Sequence, residues 1–150
     1  MGPTAGSAVF LDTNILVFAS FSGTLFHAAA CSRLSELENI GTVLWTSRQV
    51  LREFLTVTTR PGTILPPPSP AVLSQAVRRF EAVFQIADED AAVTSLLLEL
   101  LKSRVMQGKQ IHDGNIVATM LRNRITWLLT HNVADFSRYA QEISILTIAP

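Results

Sequence analysis

The sequence predicts an α/β domain of three layers, α/β/α, around a central, mainly parallel sheet of about five strands. Short apolar runs alternate with longer stretches of helical periodicity, which is the pattern of strand–helix–strand units. The first run, Ala8–Leu11, is apolar at every position, as in a strand buried on both faces between helices. Since 150 residues suit one core and no segment separates two, we expect residues 1–150 to form a single domain.

The N-terminal part is predicted to contain one strand and two helices. The strand Ala8–Leu11 runs into Asp12-Thr13-Asn14, three short polar residues that favour turns and helix starts. A short helix is expected over Ile15–Ser20. Apolar residues recur at helical spacing over Leu25–Asn39, and Gly41 stands where a glycine commonly ends a helix.

The middle of the chain is predicted to contain a second strand, a helix and a proline-rich loop. Thr42–Thr46 is β-like, and Ser47 is the expected N-cap of a helix over Gln49–Thr59. Residues 61–70 include five prolines, so they cannot form a regular element and are expected to be a surface loop.

After the loop, Pro70 at a first helical position begins a helix that ends near Ala82. Val83–Ile86 is predicted to be the third strand. A long helix is expected over Glu89–Met106 with Asp88 as its N-cap, and Gly108 follows its end.

The C-terminal part repeats the alternation with shorter elements. Asp113 is predicted to open a helix over Gly114–Arg122, and Ile125–Leu129 is predicted to be the fourth strand. One helical turn is expected over Asp135–Ala140, and Ile143–Ile148 is expected to be the last strand.

Composition narrows the class of protein. The 12 basic and 12 acidic residues give a formal net charge of zero, so nucleic-acid binding would have to rest on a local basic patch. The single cysteine, Cys31, excludes an intrachain disulfide. The N-terminus lacks the basic start and apolar centre of a signal peptide, and no stretch is long and apolar enough to span a bilayer. We therefore expect a cytoplasmic protein without membrane contact.

Four acidic residues differ from the rest by their positions. Asp12 ends the first strand and Asp135 follows the fourth, and the ends of parallel strands share one edge of a sheet. Glu53 borders the apolar stripe of its helix, and Asp113 opens another helix; the sheet argument permits both at this edge without requiring them. Asp12 and Asp135 also have a simpler explanation as helix N-caps.

If these carboxylates meet, they predict a metal site. Clustered carboxylates repel one another when all are charged, unless a divalent cation neutralises them. Ligands that are all oxygen favour Mg²⁺ or Mn²⁺, and such ions are the usual apparatus of phosphodiester hydrolysis. A zinc site is disfavoured because His27, His112 and His131 have no Glu or Cys partner at zinc-like spacing.

Four segments of the sequence resemble, in order, the motifs of PIN-domain ribonucleases, in particular VapC-type toxins. The segments are Leu11–Val17, Ser47–Phe54, His112–Ala118 and Leu129–Phe136. The resemblance spans essentially the whole chain. It implies Asp12, Glu53, Asp113 and Asp135 as catalytic metal ligands, with Thr13, Asn14, Thr130 and Asn132 in supporting positions. Many members carry an aspartate where this chain has Asn132, so Asp135 is expected to be the acid of the fourth motif.

The resemblance also implies what the protein does and what it binds. It implies an endoribonuclease dependent on Mg²⁺ or Mn²⁺, usually a homodimer and often paired with an inhibitory antitoxin protein. The helices over Leu25–Asn39 and Gln49–Thr59 carry wide apolar faces for so small a domain, which also favours association. Arg48, Arg52 and His112 lie next to the predicted acids and are candidates for contacts with RNA. The simpler alternatives are a solvated helix face for the arginines and a structural role for His112.

Two other functions compete with RNA hydrolysis. A non-catalytic RNA-binding or regulatory module on the same fold is favoured by the neutral net charge and by Asn132. A phosphoryl-accepting signalling domain also places an aspartate at a strand end, but it needs a lysine after the later strands. The last lysine here is Lys109, ahead of the fourth strand, which argues against that function.

Overall fold

The computed structural model describes residues 1–148 and contains a five-stranded sheet flanked by helices. The strands are β1 Ala8–Leu11, β2 Val43–Ser47, β3 Gln85–Ala87, β4 Trp127–Leu129 and β5 Ser144–Leu146. The helices are α1 Thr13–Ser20, α2 His27–Ile40, α3 Arg48–Thr59, α4 Pro70–Val83, α5 Ala91–Ser103, α6 Gln110–Arg122 and α7 Val133–Phe136, and a 3₁₀ turn follows at Ser137–Tyr139.

All neighbouring strands are parallel, in the order β3-β2-β1-β4-β5. The central strand β1 lies beside β2, with Val9 opposite Leu44, and beside β4, with Phe10 opposite Leu128. The predicted three-layer fold with a mainly parallel sheet is confirmed.

The core lies on both sides of β1. Val9, Phe10 and Leu11 are completely buried, because helices cover both faces of the sheet and leave no side of this strand in water. On one side α1 packs against α2 and α3, and elsewhere α5 packs against α6. The unbroken apolar run in the sequence is thus explained by burial on both faces.

Several helix starts differ from the prediction. Helix α5 begins at Ala91 and is capped by the Asp90 carboxylate, which accepts a hydrogen bond from Val93 N at 3.1 Å, so Asp88 is not the cap. Helix α6 begins at Gln110 and not at Gly114, which places Asp113 inside its first turn. Helix α7 begins at Val133, two residues before the predicted start. These starts depend on where the chain can dock on the sheet, which local residue preferences do not report.

The strand order changes direction at β1. The chain builds β2 and β3 outward on one side of β1 and then returns to place β4 and β5 on the other. In open parallel sheets such a reversal leaves a crevice at the carboxyl ends of the two strands concerned, here β1 and β4. Asp12 and Thr130 immediately follow these two ends. Within residues 1–148 no helix is both long enough and apolar enough to cross a membrane.

Candidate functional site

Asp12 is held at the floor of the crevice by three donors. Its side chain is only 5% exposed, and Thr13 N donates to Oδ1 at 2.7 Å. Asn14 Nδ2 and Thr130 Oγ1 donate to Oδ2 at 2.9 and 2.7 Å. Burial raises the pKa of the Asp12 carboxyl, while these hydrogen bonds lower it in part. Asp12 does cap α1, as the simpler explanation requires, but the donors from Asn14 and Thr130 fix its orientation beyond what a cap needs.

Glu53 reaches the same place from the middle of α3. Its Oε2 accepts a hydrogen bond from Thr13 Oγ1 at 2.9 Å, directly beside Asp12 in the chain. Its Oε1 accepts one from Gln49 Nε2 at 2.9 Å. Helix α3 starts at the carboxyl end of β2 because Ser47 caps it, as predicted, with Val50 N donating to Ser47 Oγ. The charges of Glu53 and Asp12 are close enough that Glu53 raises the pKa of Asp12.

Asp113 brings a third carboxylate from the first turn of α6. Its pKa is raised to about 6, first by burial and then by the negative charges of Asp12, Asp135 and Glu53. His112 acts in the opposite direction. The charges of the other three predicted acids therefore act on the Asp113 carboxyl.

Asp135 lies on the rim of this site. It is exposed, in the third position of α7, whose N-cap Asn132 makes no capping hydrogen bond through its side chain. Within residues 1–148 no group donates a hydrogen bond to the Asp135 carboxylate, so the alternative N-cap role for Ser137 or Arg138 is not realised.

Residues after β4 support Asp12. Thr130 is fully buried, and its hydroxyl, besides donating to Asp12, accepts a hydrogen bond from Asn132 N at 3.0 Å. His131 N donates to Asn14 Oδ1 at 3.0 Å, which ties the start of α1 to the end of β4. The His131 ring packs on Phe26 with ring centroids 4.2 Å apart, which is a structural contact. The Asn132 side chain is exposed.

The sequence reasoning missed two amide side chains at the site, those of Gln49 and Asn115. Gln49 is 4% exposed and donates both to Glu53 and to the carbonyl of His112, and it accepts a hydrogen bond from Asn115 Nδ2 at 2.7 Å. The available signal was the spacing, because Gln49 precedes Glu53 by four residues and therefore lies on the same helix face.

The candidates for RNA contacts lie near the site but mostly have protein partners. Arg48 pairs with Glu81 and Asp88, and Arg52 pairs with Glu89 at 3.4 Å. All of these pairs keep partial exposure to solvent, so an anionic ligand can compete for the arginines. His112 is exposed, and its carbonyl is the one held by Gln49. Contact of these three residues with RNA stays a prediction.

The donor set fits a hard divalent cation chemically, since it offers carboxylate oxygens from four elements and neither thiolate nor an adjacent imidazole pair. Within residues 1–148, no three acidic, histidine or cysteine side chains are arranged closely enough to hold an ion as they stand.

Comparison with known proteins identifies the family of the chain. The sequence profile of the PIN domain matches residues 9–142. A comparison with curated protein sequences found no match.

Several solved structures share the fold. VapBC2 from Rickettsia felis, solved bound to a DNA fragment from its promoter, has a chain with a TM-score of 0.66 and 19% identity, over 93% of this chain and 98% of that chain. VapC20 from Mycobacterium tuberculosis, a toxin that cleaves the sarcin-ricin loop, has a TM-score of 0.66 and 18% identity, over 91% and 96%. VapBC-1 from nontypeable Haemophilus influenzae has a TM-score of 0.68 and 16% identity, over 95% and 99%. At these identities the likeness shows the fold, and the profile match shows that this chain belongs to the PIN-domain family.

Proposed function

We propose that this protein is an endoribonuclease that depends on Mg²⁺ or Mn²⁺ and hydrolyses RNA phosphodiester bonds. The observation that carries the proposal is geometric: Thr13, next to Asp12, donates a hydrogen bond to Glu53, and Gln49 joins Glu53 to the His112 carbonyl, next to Asp113. The pKa of Asp113, raised to about 6 first by burial and then by the charges of Asp12, Asp135 and Glu53, supports it. A set of acids that repel one another at the switch point of a parallel sheet costs stability, and neutralisation by a cation would recover it.

The residues of the site would have different roles. Asp12, Glu53, Asp113 and Asp135 would hold the cation, which supplies an activated water and neutralises charge on the leaving oxygen. Thr13, Asn14 and Thr130 would keep the Asp12 and Glu53 carboxylates in fixed orientations through the hydrogen bonds described above. Asn132 has no charge, so it can offer only a carbonyl oxygen or an amide donor.

RNA cleavage by the purified protein tests the proposal. We expect a single-stranded RNA to be cut in Mg²⁺ or Mn²⁺, and cleavage to stop with EDTA and in Asp12→Asn. The matched control is Asp88→Asn, which changes an exposed acid outside the site. Cleavage by the purified protein that survives both EDTA and Asp12→Asn would contradict the proposal, because it would depend neither on a cation nor on this site.

A non-catalytic RNA-binding or regulatory module is the second candidate. It is favoured by the formal net charge of zero and by the uncharged Asn132 in the fourth motif. This candidate predicts RNA binding that is equal in EDTA and in Mn²⁺, with no cleavage in either.

We also propose that the protein is the toxin of a toxin–antitoxin pair and forms a homodimer. Its structural neighbours include a toxin and toxin–antitoxin complexes, which supports an antitoxin partner. Large apolar side chains are left exposed, among them Leu25, Leu65 and Val105, and such surface favours association. Sedimentation at ~100 μM should show a dimer, or a complex if a partner co-purifies. A monomer alone at that concentration would contradict both expectations.

A further inference from the structure

Gln49 connects Glu53 on α3 with the backbone beside Asp113 on α6. It lies in the first turn of α3, and its Nε2 donates to Glu53 Oε1 at 2.9 Å on its own helix. The same nitrogen donates to the carbonyl oxygen of His112 at 2.9 Å, in the turn of α6 that carries Asp113. One amide group thus contacts both the Glu53 carboxylate and the backbone next to Asp113.

The orientation of this amide is determined by its partners. The Glu53 carboxylate and the His112 carbonyl are acceptors only, so both require the NH₂ end of Gln49. The oxygen end accepts a hydrogen bond from Asn115 Nδ2 at 2.7 Å, and Asn115 lies one residue beyond Gly114 on α6. Gln49 is 4% exposed, so water does not compete for these bonds, and the amide is locked between two helices.

We propose that Gln49 is a positioning residue that sets the Glu53 carboxylate at a fixed place relative to Asp113, with Asn115 fixing the direction of the Gln49 amide. This inference rests on the proposed function, because it concerns how the site accepts a cation. Polar groups that orient the ligands of a metal typically change its affinity about 10–100-fold when they are removed. A purely structural role would instead cost stability and leave cation affinity unchanged.

Titration of the RNA-free protein with Mn²⁺, followed by the electron paramagnetic resonance signal of the free ion, tests the proposal without measuring activity. We expect Gln49→Met, which keeps the length of the side chain and removes its hydrogen bonds, to bind Mn²⁺ about tenfold or more weakly than wild type. The matched control is Thr58→Val on the same helix. Thr58 is 3% exposed, lies five residues beyond Glu53 along α3 and donates to Phe54 O at 2.7 Å, with no hydrogen bond to an acid in residues 1–148. This control should lower the melting temperature but keep the wild-type Mn²⁺ affinity.

Asn115→Asp provides a second variant if Gln49→Met does not fold. A carboxylate at position 115 accepts hydrogen bonds but cannot donate them, so it favours the reversed Gln49 amide and turns the oxygen of Gln49 towards Glu53. Added negative charge by itself would tighten cation binding, so a weaker affinity in this variant would report the reversed amide.

The outcomes separate this inference from the proposed function. If wild type binds Mn²⁺ and the folded variants bind it equally well, Gln49 does not position the site, while the proposed function stands. If wild type shows no Mn²⁺ binding, both the proposed function and this inference are wrong.

Discussion

Asp12 and Asp113 show how the surroundings of an aspartate change the pKa of its carboxyl. Asp12 is nearly inaccessible, and burial raises its pKa, although the hydrogen bonds that it accepts from three groups lower the pKa in part. Asp113 is half-buried, and in residues 1–148 no group donates a hydrogen bond to its carboxylate. Its pKa therefore rises to about 6 under burial and the neighbouring charges.

The raised pKa of Asp113 predicts a pH-dependent stability of the metal-free protein. The carboxyl has a pKa of about 6 in the folded state against 3.8 in the unfolded chain, so between these values the folded state binds more protons. The free energy of unfolding should therefore fall as pH rises from about 4 to 6, by on the order of 1 kcal/mol from this group after solvent screening.

Thermal melts in EDTA at pH 4.5 and pH 7 measure this effect. Asp113→Asn has no charge at this position. Raising the pH should therefore lower its melting temperature less than that of wild type. An equal pH dependence of the two proteins would mean that Asp113 is ionised normally and is not in contact with the other acids.

Asp135→Asn tests the fourth acid. Asn is as good an N-cap as Asp, and the structure shows no capping by this side chain within residues 1–148, so folding should be retained. As a ligand in the site, its loss should lower RNA cleavage at limiting Mg²⁺ by about an order of magnitude, since polar groups around a metal commonly matter to that extent. Excess Mn²⁺ is expected to restore part of the activity. Full activity at limiting Mg²⁺ would leave Asp12, Glu53 and Asp113 as the acidic site.

At the scale of single elements, capping residues decide where helices begin. Ser47 was predicted correctly as an N-cap and Pro70 as a first helical residue, because each is followed by an apolar helical pattern. The run Asp88-Glu89-Asp90 contains two aspartates that are both acceptable caps, and the sequence does not choose between them. In the tertiary structure Asp90 caps the helix, while Arg48 and Arg52 engage Asp88 and Glu89.

Because Asp90 and not Asp88 caps α5, we expect substitutions of these two residues to differ in their effect on stability. Asp90→Ala removes the acceptor for Val93 N and should lower the melting temperature by roughly 2–4 °C. Asp88→Ala removes only an exposed contact with Arg48 and should leave it within about 1 °C of wild type. Differential scanning calorimetry of the two variants side by side decides the matter, and equal shifts would show that Asp90 does not cap the helix.

At the scale of the whole molecule, the strand order brings the parts of the candidate site together. The reversal at β1 opens the crevice, and β1, β4, α3 and α6 each bring one part of it. Residues as far apart in the chain as Asp12 and Thr130 are then joined by a hydrogen bond of 2.7 Å.

Binding of a cation to this crevice should stabilise the whole fold. A ligand that binds only the folded state adds about 1–3 kcal/mol at ~10–100 times its Kd, so Mg²⁺ should raise the melting temperature. Asp12→Asn should remove that increment without unfolding the protein, because asparagine can still accept the hydrogen bond from Thr13 N. No change in wild type with either Mg²⁺ or Mn²⁺ would mean that the carboxylates do not form a metal site.

The amino-acid sequence by itself determined the order of the strands and helices, though not all of their ends, because burial on both faces and helical periodicity are visible in the spacing of apolar residues. It also determined the candidacy of Asp12 and Asp135, since each follows a strand. The sheet argument did not decide whether Glu53 and Asp113 lie at the site, because the residues of α3 and α6 do not by themselves show how these helices pack on the sheet. Only the tertiary structure brought in Gln49 and Asn115, since their hydrogen bonds join residues more than 60 positions apart.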